Sequence, residues 1–265
     1  MPELAEVAYY ARQWERGMGA EQPIQSLRCR LQARCCRALD AKTLRRARGA
    51  WLSGLRVHGK RILYSMSNGD HFEVHLGMTG KLGVAERLDA LEPPFQFAID
   101  LPARVLTYED YRQFGQLRWH LGPEIPESWR GLPPQPHEPG FRFARLREAA
   151  RRRRRLPVKA WLLDQAVFPG VGNWMADEIL WQAGLAPGRP TGSLREAELK
   201  RLWLKTRHVC RKALDTVGRD YRPPPRRWLF RVRWKPGEAC PRCEATLERE
   251  TIGGRAACWC RRCQR

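Results

Sequence analysis

The sequence predicts an α+β multidomain protein. It should hold an N-terminal β-sandwich led by a helix, a helical domain with a helix–turn–helix pair, and a C-terminal β-hairpin zinc finger. Three observations predict this. A strand-rich stretch with hairpin signals runs from about Pro23 to His120. A helix-periodic stretch follows. The last 26 of the 265 residues then hold five of the nine cysteines. The expected boundaries are 1–120 for the helix and sandwich, 121–140 for a linker, 141–227 for the helical domain and 228–265 for the finger.

Each element has a local cause. In PELAEVAYYARQWERGM, Leu4, Val7, Ala8, Ala11, Trp14 and Met18 recur near the helical period. Pro2 sits where a first turn tolerates proline, and Glu3 and Glu6 lie near the positive end of the helix dipole. RVHGKRILYSMSNGDHFEVHLGM places two apolar runs around Asn68-Gly69, a strong hairpin signal. FQFAIDLPARVLTYEDY is a second hairpin turning at Leu101-Pro102-Ala103, so this half reads as an antiparallel sandwich or flattened barrel. Residues 121–139 are rich in Pro, Gly and Glu, which suits a linker. RFARLREAARRRRR is a basic helix. LPVKAWLLDQ opens on a well-placed proline, and NWMADEILWQAG ends on a capping glycine. Ser193 and Glu196 have the spacing of a capping box.

Composition narrows the function classes. The formal net charge is +21 with a pI near 10.4. A surplus this large points to a polyanionic partner, nucleic acid first and an anionic membrane surface second. No apolar run reaches the roughly 18 residues a membrane span needs, and no secretory pattern opens the chain. Clustered rather than scattered cysteines favour a metal site in a reducing, cytoplasmic compartment over a disulfide scaffold.

Two motifs carry chemistry on their own. Cys240 and Cys243 form one C-x2-C and Cys260 and Cys263 another, with 16 residues between. This spacing fits one tetrahedral four-thiolate zinc. A closed site has no open position, so the metal is structural. Cys258 is a complication, because it shares a strand face with Cys260 and offers a C-x4-C alternative. The finger stiffens TIGGRAAC, whose Gly-Gly turn presents Arg255, either as a phosphate contact or as a solvated arginine. The second motif is FPGVGNW. Its glycines expose backbone N–H groups at a helix N-terminus, an anion seat centred on Asn173. Lys159, one helix upstream, adds charge. Glu178 reads as a surface or capping carboxylate.

MPELAEV, HLGMTG, YRQFG, VKAWLLDQAVFPGVGNWMADE and CPRC…TIGGRAACWCRRCQR together resemble the formamidopyrimidine-DNA glycosylase/endonuclease VIII family. They run from the first residue to the last in the family's order. The resemblance implies a β-sandwich, a helix–two-turn–helix domain and a zinc finger that bind double-stranded DNA as a monomer. It also implies base-excision repair: a DNA glycosylase with AP lyase activity that removes oxidised or ring-opened bases.

The opening residues then acquire a role. Methionine before proline is typically removed, which leaves Pro2 as the N-terminus. Near pH 7 roughly a tenth of an α-amino group is neutral, against under a thousandth of a lysine. A neutral secondary amine attacks a sugar C1′ and yields an iminium ion, which acidifies the C2′ proton and drives loss of the flanking phosphates. The resemblance assigns proton handling to Glu3, support of the first turn to Glu6, and a sugar and phosphate contact to Lys60. Without the family, Lys60 reads as a strand-surface lysine. Met78, Arg112 and Phe114 match residues that fill the hole left by a flipped base, a task that needs apolar wedges and a hydrogen-bonding cation. The bland reading of Met78 and Phe114 is core. His75 reads either as a phosphate contact or as an ordinary strand residue.

Departures from the family pattern are specific. Ala5 replaces a proline, and Tyr111 and Gln113 replace a proline and an arginine around Arg112. DYRPPPRRWLF, from Asp220, is too short and proline-rich for the long loop that caps a flipped oxidised purine. The competing readings are a DNA-binding protein of this fold without catalysis, and a zinc protein that binds RNA. A pure binder has no need of a proline amine beside a carboxylate, so Pro2-Glu3 favours the enzyme.

Overall fold

The computed structural model describes residues 1–19, 21–86 and 95–265. They form two units: 1–2 with 6–132, and 3–5 with 133–265.

Helix α1 (Leu4–Met18), which belongs to the first unit from Glu6 onward, buries the apolar stripe anticipated from its period. Strand β1 (Ser26–Cys29), a 3₁₀ turn (Arg34–Cys36) and helix α2 (Ala41–Arg46) follow. The remaining strands are β2 (Leu52–His58), β3 (Arg61–Met66), β4 (His71–His75), β5 (Lys81–Ala85), β6 (Phe95–Asp100), β7 (Val105–Glu109) and β8 (Gln116–His120). They make two four-stranded antiparallel sheets, ordered β1-β6-β7-β5 and β2-β3-β4-β8. Asn68-Gly69 joins β3 to β4, with Arg61 opposite His75 and Ser65 opposite His71. Leu101 N–H closes the second hairpin on Arg104 O at 2.9 Å. Gly59-Lys60 makes a further tight turn, between β2 and β3, so Lys60 stands at a hairpin tip rather than on a strand. Trp14 is the centre of the core. Its ring lies 5.4 Å from Tyr64 and 6.3 Å from Phe72, and its indole N–H is shared between Gly83 O and Thr107 O. A buried indole must find such acceptors.

The second unit is helical: α3 (Phe143–Arg152), α4 (Val158–Leu162), α5 (Asn173–Ala183), α6 (Glu196–Asp215) and the single turn α7 (Val217–Asp220). Between α4 and α5 the chain makes two successive turns. Phe168 N–H bonds Asp164 O at 2.8 Å, and Val171 N–H bonds Phe168 O at 3.1 Å. Gln165 staples them by donating to Val171 O and accepting from Gly170 N–H. Helix α5 is buried along most of its length and ends at Gly184, whose φ of 68° suits only glycine at low cost. The N-terminus of α6 is capped at Arg195, not Ser193. Glu198 reaches back to the Arg195 N–H at 2.8 Å, because Thr191–Ser193 forms its own 3₁₀ turn and delays the helix by two residues.

Strands β9 (Glu248–Ile252) and β10 (Arg255–Trp259) pair through Gly253-Gly254, both at positive φ as a two-residue turn demands. Trp181 of α5 packs in one cluster with Leu229, Cys240, Leu247, Cys258 and Cys260. Residues 121–140 are hydrogen-bonded on both sides of the division at 132/133. Gly122 N–H is bonded to Asp70 and Arg61 holds Ser128, both in the first unit. Arg207 holds Glu138 O in the second. Among the described residues no helix is long and apolar enough to cross a membrane.

Candidate active site

Glu3 is 2% exposed and lies in the second unit, where its carboxylate fills the N-terminus of α5. Gly172 N–H and Met175 N–H donate to Oε2 at 3.0 and 3.1 Å, and Trp174 N–H donates to Oε1 at 2.9 Å. Leu4 N–H bonds Gly170 O at 2.9 Å beside it. The dipole that Glu3 serves is therefore that of α5, not of its own helix. The anion seat of FPGVGNW exists, but the chain's own carboxylate occupies it. A Cβ on Gly172 would lie 2.2 Å from the Glu3 Cδ, so only glycine admits this seating. Asn173 begins α5 half-buried.

Lys159 is corrected more sharply. It is fully buried, ion-paired with Asp177, and donates to Asn173 O and Ala256 O at 3.2 and 3.3 Å. Burial pulls its ammonium below the usual lysine value, with the Asp177 charge opposing. It cannot meet a phosphate there. Asp177 also pairs with Arg233 and accepts from Cys258 N–H, so one buried carboxylate ties α4, α5 and the finger together. Glu178 is likewise buried, not on the surface. It accepts from Gln182 and from Phe230 N–H, and burial pushes its carboxyl up to about 7.

In the first unit, Pro2 is half-buried and Glu6 lies on α1. The half-buried Lys60 is near enough to His75 to act on it. Burial, then the Lys60 charge, hold the imidazole below its ordinary value, and its Nδ1 accepts from Gly77 N–H at 3.1 Å. That bond leaves Nε2 as the donor of a neutral ring. The loops carrying Met78 and Arg112–Phe114 press against each other. A Cβ on Gly77 would lie 2.4 Å from Gly115 N. Phe114 is 43% exposed, which excludes the core reading, and the Arg112 guanidinium lies 4.7 Å from its ring centre. Sequence reasoning missed what holds these loops. Asp110, fully buried, accepts from Thr79 Oγ1 at 2.5 Å, Tyr108 Oη at 3.1 Å and Gly115 N–H at 2.7 Å, and its own N–H reaches Gln96 Oε1. Tyr108 and Gly115 are near in sequence, but Thr79 and Gln96 are brought to Asp110 only by the fold, so the local pattern does not mark it.

The four knuckle sulfurs lie within 4.8 Å of one another, with Cys240–Cys263 at 3.9 Å and Cys243–Cys260 at 3.4 Å. Zinc bonded tetrahedrally at about 2.3 Å separates its sulfurs by about 3.8 Å, so the cluster fits that ion. Cys258 lies outside it. Burial raises the Cys240 thiol, but the Trp181 indole N–H at 3.3 Å and the N–H groups of Arg242 and Cys243 outweigh it, bringing the thiol down to about 7. Burial and neighbouring sulfurs push Cys263 up to about 12, and a dication is what holds four such thiols deprotonated. Arg255 is exposed where the stiffened hairpin turns.

The segment after α7 is short and anchored at both ends. Tyr221 N–H bonds Val217 O, Arg231 Nε bonds Pro224 O at 3.1 Å, and Trp228 is buried. Pro223, Pro224 and Pro225 have no N–H to offer a base.

Three family models match the chain: the formamidopyrimidine-DNA glycosylase N-terminal domain over residues 1–117, its H2TH domain over 132–222, and a zinc finger found in FPG and IleRS over 237–265. A formamidopyrimidine-DNA glycosylase of Thermus thermophilus is 38% identical over 224 residues, covering 78% of this chain and 79% of that one. One from Xanthomonas campestris is 34% identical over 229 residues, covering 82% and 83%. The Lactococcus lactis Fpg (MutM), solved with DNA containing an oxidised pyrimidine and with DNA containing FAPY-dG, superposes with a TM-score of 0.88 in both cases. It is 25% identical and each chain is covered to 99%.

Proposed function

The chain belongs to the formamidopyrimidine-DNA glycosylase family, and from that premise we propose how its own residues perform the chemistry and which bases it removes. It is a bifunctional DNA glycosylase and AP lyase that acts, as a monomer, on double-stranded DNA containing damaged bases or abasic sites. A single structural zinc stiffens its finger. Its place is the reducing cytoplasm, with the DNA.

Pro2, freed of Met1, is the nucleophile. Its nitrogen bonds to C1′ as the glycosidic bond breaks and the base leaves with a proton. The C1′–O4′ bond then breaks, O4′ taking a proton, and the nitrogen lone pair closes the iminium double bond; that ion gives up a C2′ proton, and the phosphates leave by elimination. The observation that carries this reading is the seating of Glu3. An anion held by three backbone N–H groups, one peptide bond from the amine, is preorganised to stabilise cationic character at C1′ and to exchange protons at the sugar. Glu6 supports the first turn. Lys60 and the Nε2–H of His75 take phosphate oxygens, as do Asn173 and Arg255. Met78 and Phe114 fill the space of the flipped base, and Arg112 meets its estranged partner.

The substrate range follows from residues 221–228. A segment with three consecutive prolines offers few backbone donors to a base edge, and discrimination by shape alone reaches roughly 10–200-fold. We infer excision of ring-opened purines and of oxidised pyrimidines, with weak action on 8-oxoguanine. Single-turnover rates on matched duplexes test this. A formamidopyrimidine lesion should be removed faster than 8-oxoguanine opposite cytosine. Equal rates would transfer base reading to other residues, with Arg222 and Arg226 first in line.

A further inference from the structure

Three cysteines of the first unit form a cluster that the zinc does not use. Cys29 ends β1, and Cys35 and Cys36 close the 3₁₀ turn Arg34–Cys36. The Cys36 thiol is central. It lies 3.8 Å from Cys35 Sγ and shares a hydrogen bond with the Cys29 thiol. Cys35 and Cys36 are buried. Cys29 is half-buried and lines an open pocket of about 480 Å³ together with Arg30 and Gln113.

Two paths lead from this turn to the base-opening loops. Arg34 N–H donates to Gln113 Oε1 at 2.8 Å. Gln113 stands between Arg112 and Phe114 at a φ of 54°, a strained value for a side chain of its size, so an outside bond helps hold it. The second path runs through Gln96, the extra residue of a bulge in β6. Cys36 Sγ donates to Gln96 O at 3.5 Å, and Gln96 Oε1 accepts the Asp110 N–H that anchors both loops.

We propose that Cys29 and Cys36 are a redox-sensitive pair that closes to a disulfide under hydrogen peroxide, drawing the Arg34–Cys36 turn off Gln113 and releasing the Arg112–Phe114 wedge. The effect on activity rests on the wedge reading given above. Cys29 thiolate attacks the peroxide, forming S–O as O–O breaks and hydroxide leaves. The Cys36 thiol, which its hydrogen bonds to Cys29 and Cys35 and its burial hold well above its ordinary value, then attacks the sulfenic sulfur and gives its proton to the departing hydroxide, forming S–S as S–O breaks. The two cysteines lose two electrons and two protons, and the peroxide becomes two waters. The pocket admits the oxidant at Cys29. The hydrogen bond from Cys36 holds the Cys29 thiol below its ordinary value, although burial opposes it. Closing sulfurs from hydrogen-bonding distance to a bond of about 2.0 Å moves the turn by more than about 1 Å. A positioning error of about 1 Å costs on the order of 100-fold in rate.

The test uses zinc-loaded protein exposed to limiting peroxide, with bound zinc measured before and after. Peptide mapping should find the Cys29–Cys36 bridge. Excision from duplex DNA should fall on the order of 100-fold, while borohydride trapping on a single-stranded abasic site, which needs no wedge, is unchanged. Dithiothreitol should restore excision. Cys29→Ser and Cys36→Ser should each abolish the response, and the half-buried Cys29 position keeps one arm open if Cys36→Ser folds poorly. A Cys35–Cys36 bridge, an equal loss in Cys29→Ser, or a bridge without loss of duplex excision would overturn the proposal. Phe114→Ala in reduced protein separates the two ideas, because its failure to slow duplex excision would count against the wedge itself.

Discussion

Gly172 shows how one missing atom fixes the chemistry. The space its Cβ would take is filled by the Glu3 carboxyl group. Gly172→Ala must therefore expel Glu3 from the amides of Gly172, Trp174 and Met175. Hydrogen bonds to a charged group contribute about 1.5–3 kcal/mol each, so we expect a loss of stability of that order. Turnover should fall on the order of 100-fold through misplacement of the first turn. Denaturant unfolding and single-turnover excision check both, and near-normal excision by Gly172→Ala would contradict the seating. Glu178 supplies a pH dependence. Burial lifts it from the ordinary glutamate value of 4.5 to about 7, so the native state holds its proton more tightly. That stability is fully present below about pH 4.5 and is lost as pH rises through about 7. The loss is on the order of 3 kcal/mol at most. Glu178→Gln mimics the protonated form, so its stability advantage over the unmodified protein should grow from pH 5 to pH 8. A constant difference would refute the assignment.

At the scale of elements, the zinc knuckles and the buried carboxylates make opposite points about legibility. The knuckles were legible because their spacing alone determines which sulfurs can converge, and the structure leaves Cys258 with its backbone N–H on Asp177 instead. Zinc analysis should find one metal per chain in Cys258→Ser and a loss in Cys260→Ser, and the reverse pattern would show that the knuckle is C-x4-C. The helices and hairpins were legible for a similar reason, since period and turn chemistry are local. Lys159 was misread because α4 is buried on nearly every side, so a five-residue helix carries no period that separates inside from outside. Asp110 and Asp177 escaped notice because a buried carboxylate is recognised by its partners, and theirs come from β6, the 76–80 turn, Arg233 and β10.

Over the whole molecule, the five motifs in register all fall inside the family's models, which match residues 1–117, 132–222 and 237–265. What sequence could not show was the division of labour at the N-terminus, where residues 1–2 and 3–5 belong to different units. It also could not show that the FPGVGNW amides serve a carboxylate of the chain rather than a phosphate. The central claim is that the Pro2 nitrogen is the nucleophile. Its most direct measurement is borohydride reduction of the protein on abasic-site DNA, followed by intact-mass and peptide analysis of the adduct. The account predicts a chain lacking Met1, with the sugar remnant on Pro2, and little trapping by Pro2→Gly despite retained DNA binding. A fully active protein that keeps Met1, or an adduct on Lys60, would contradict it.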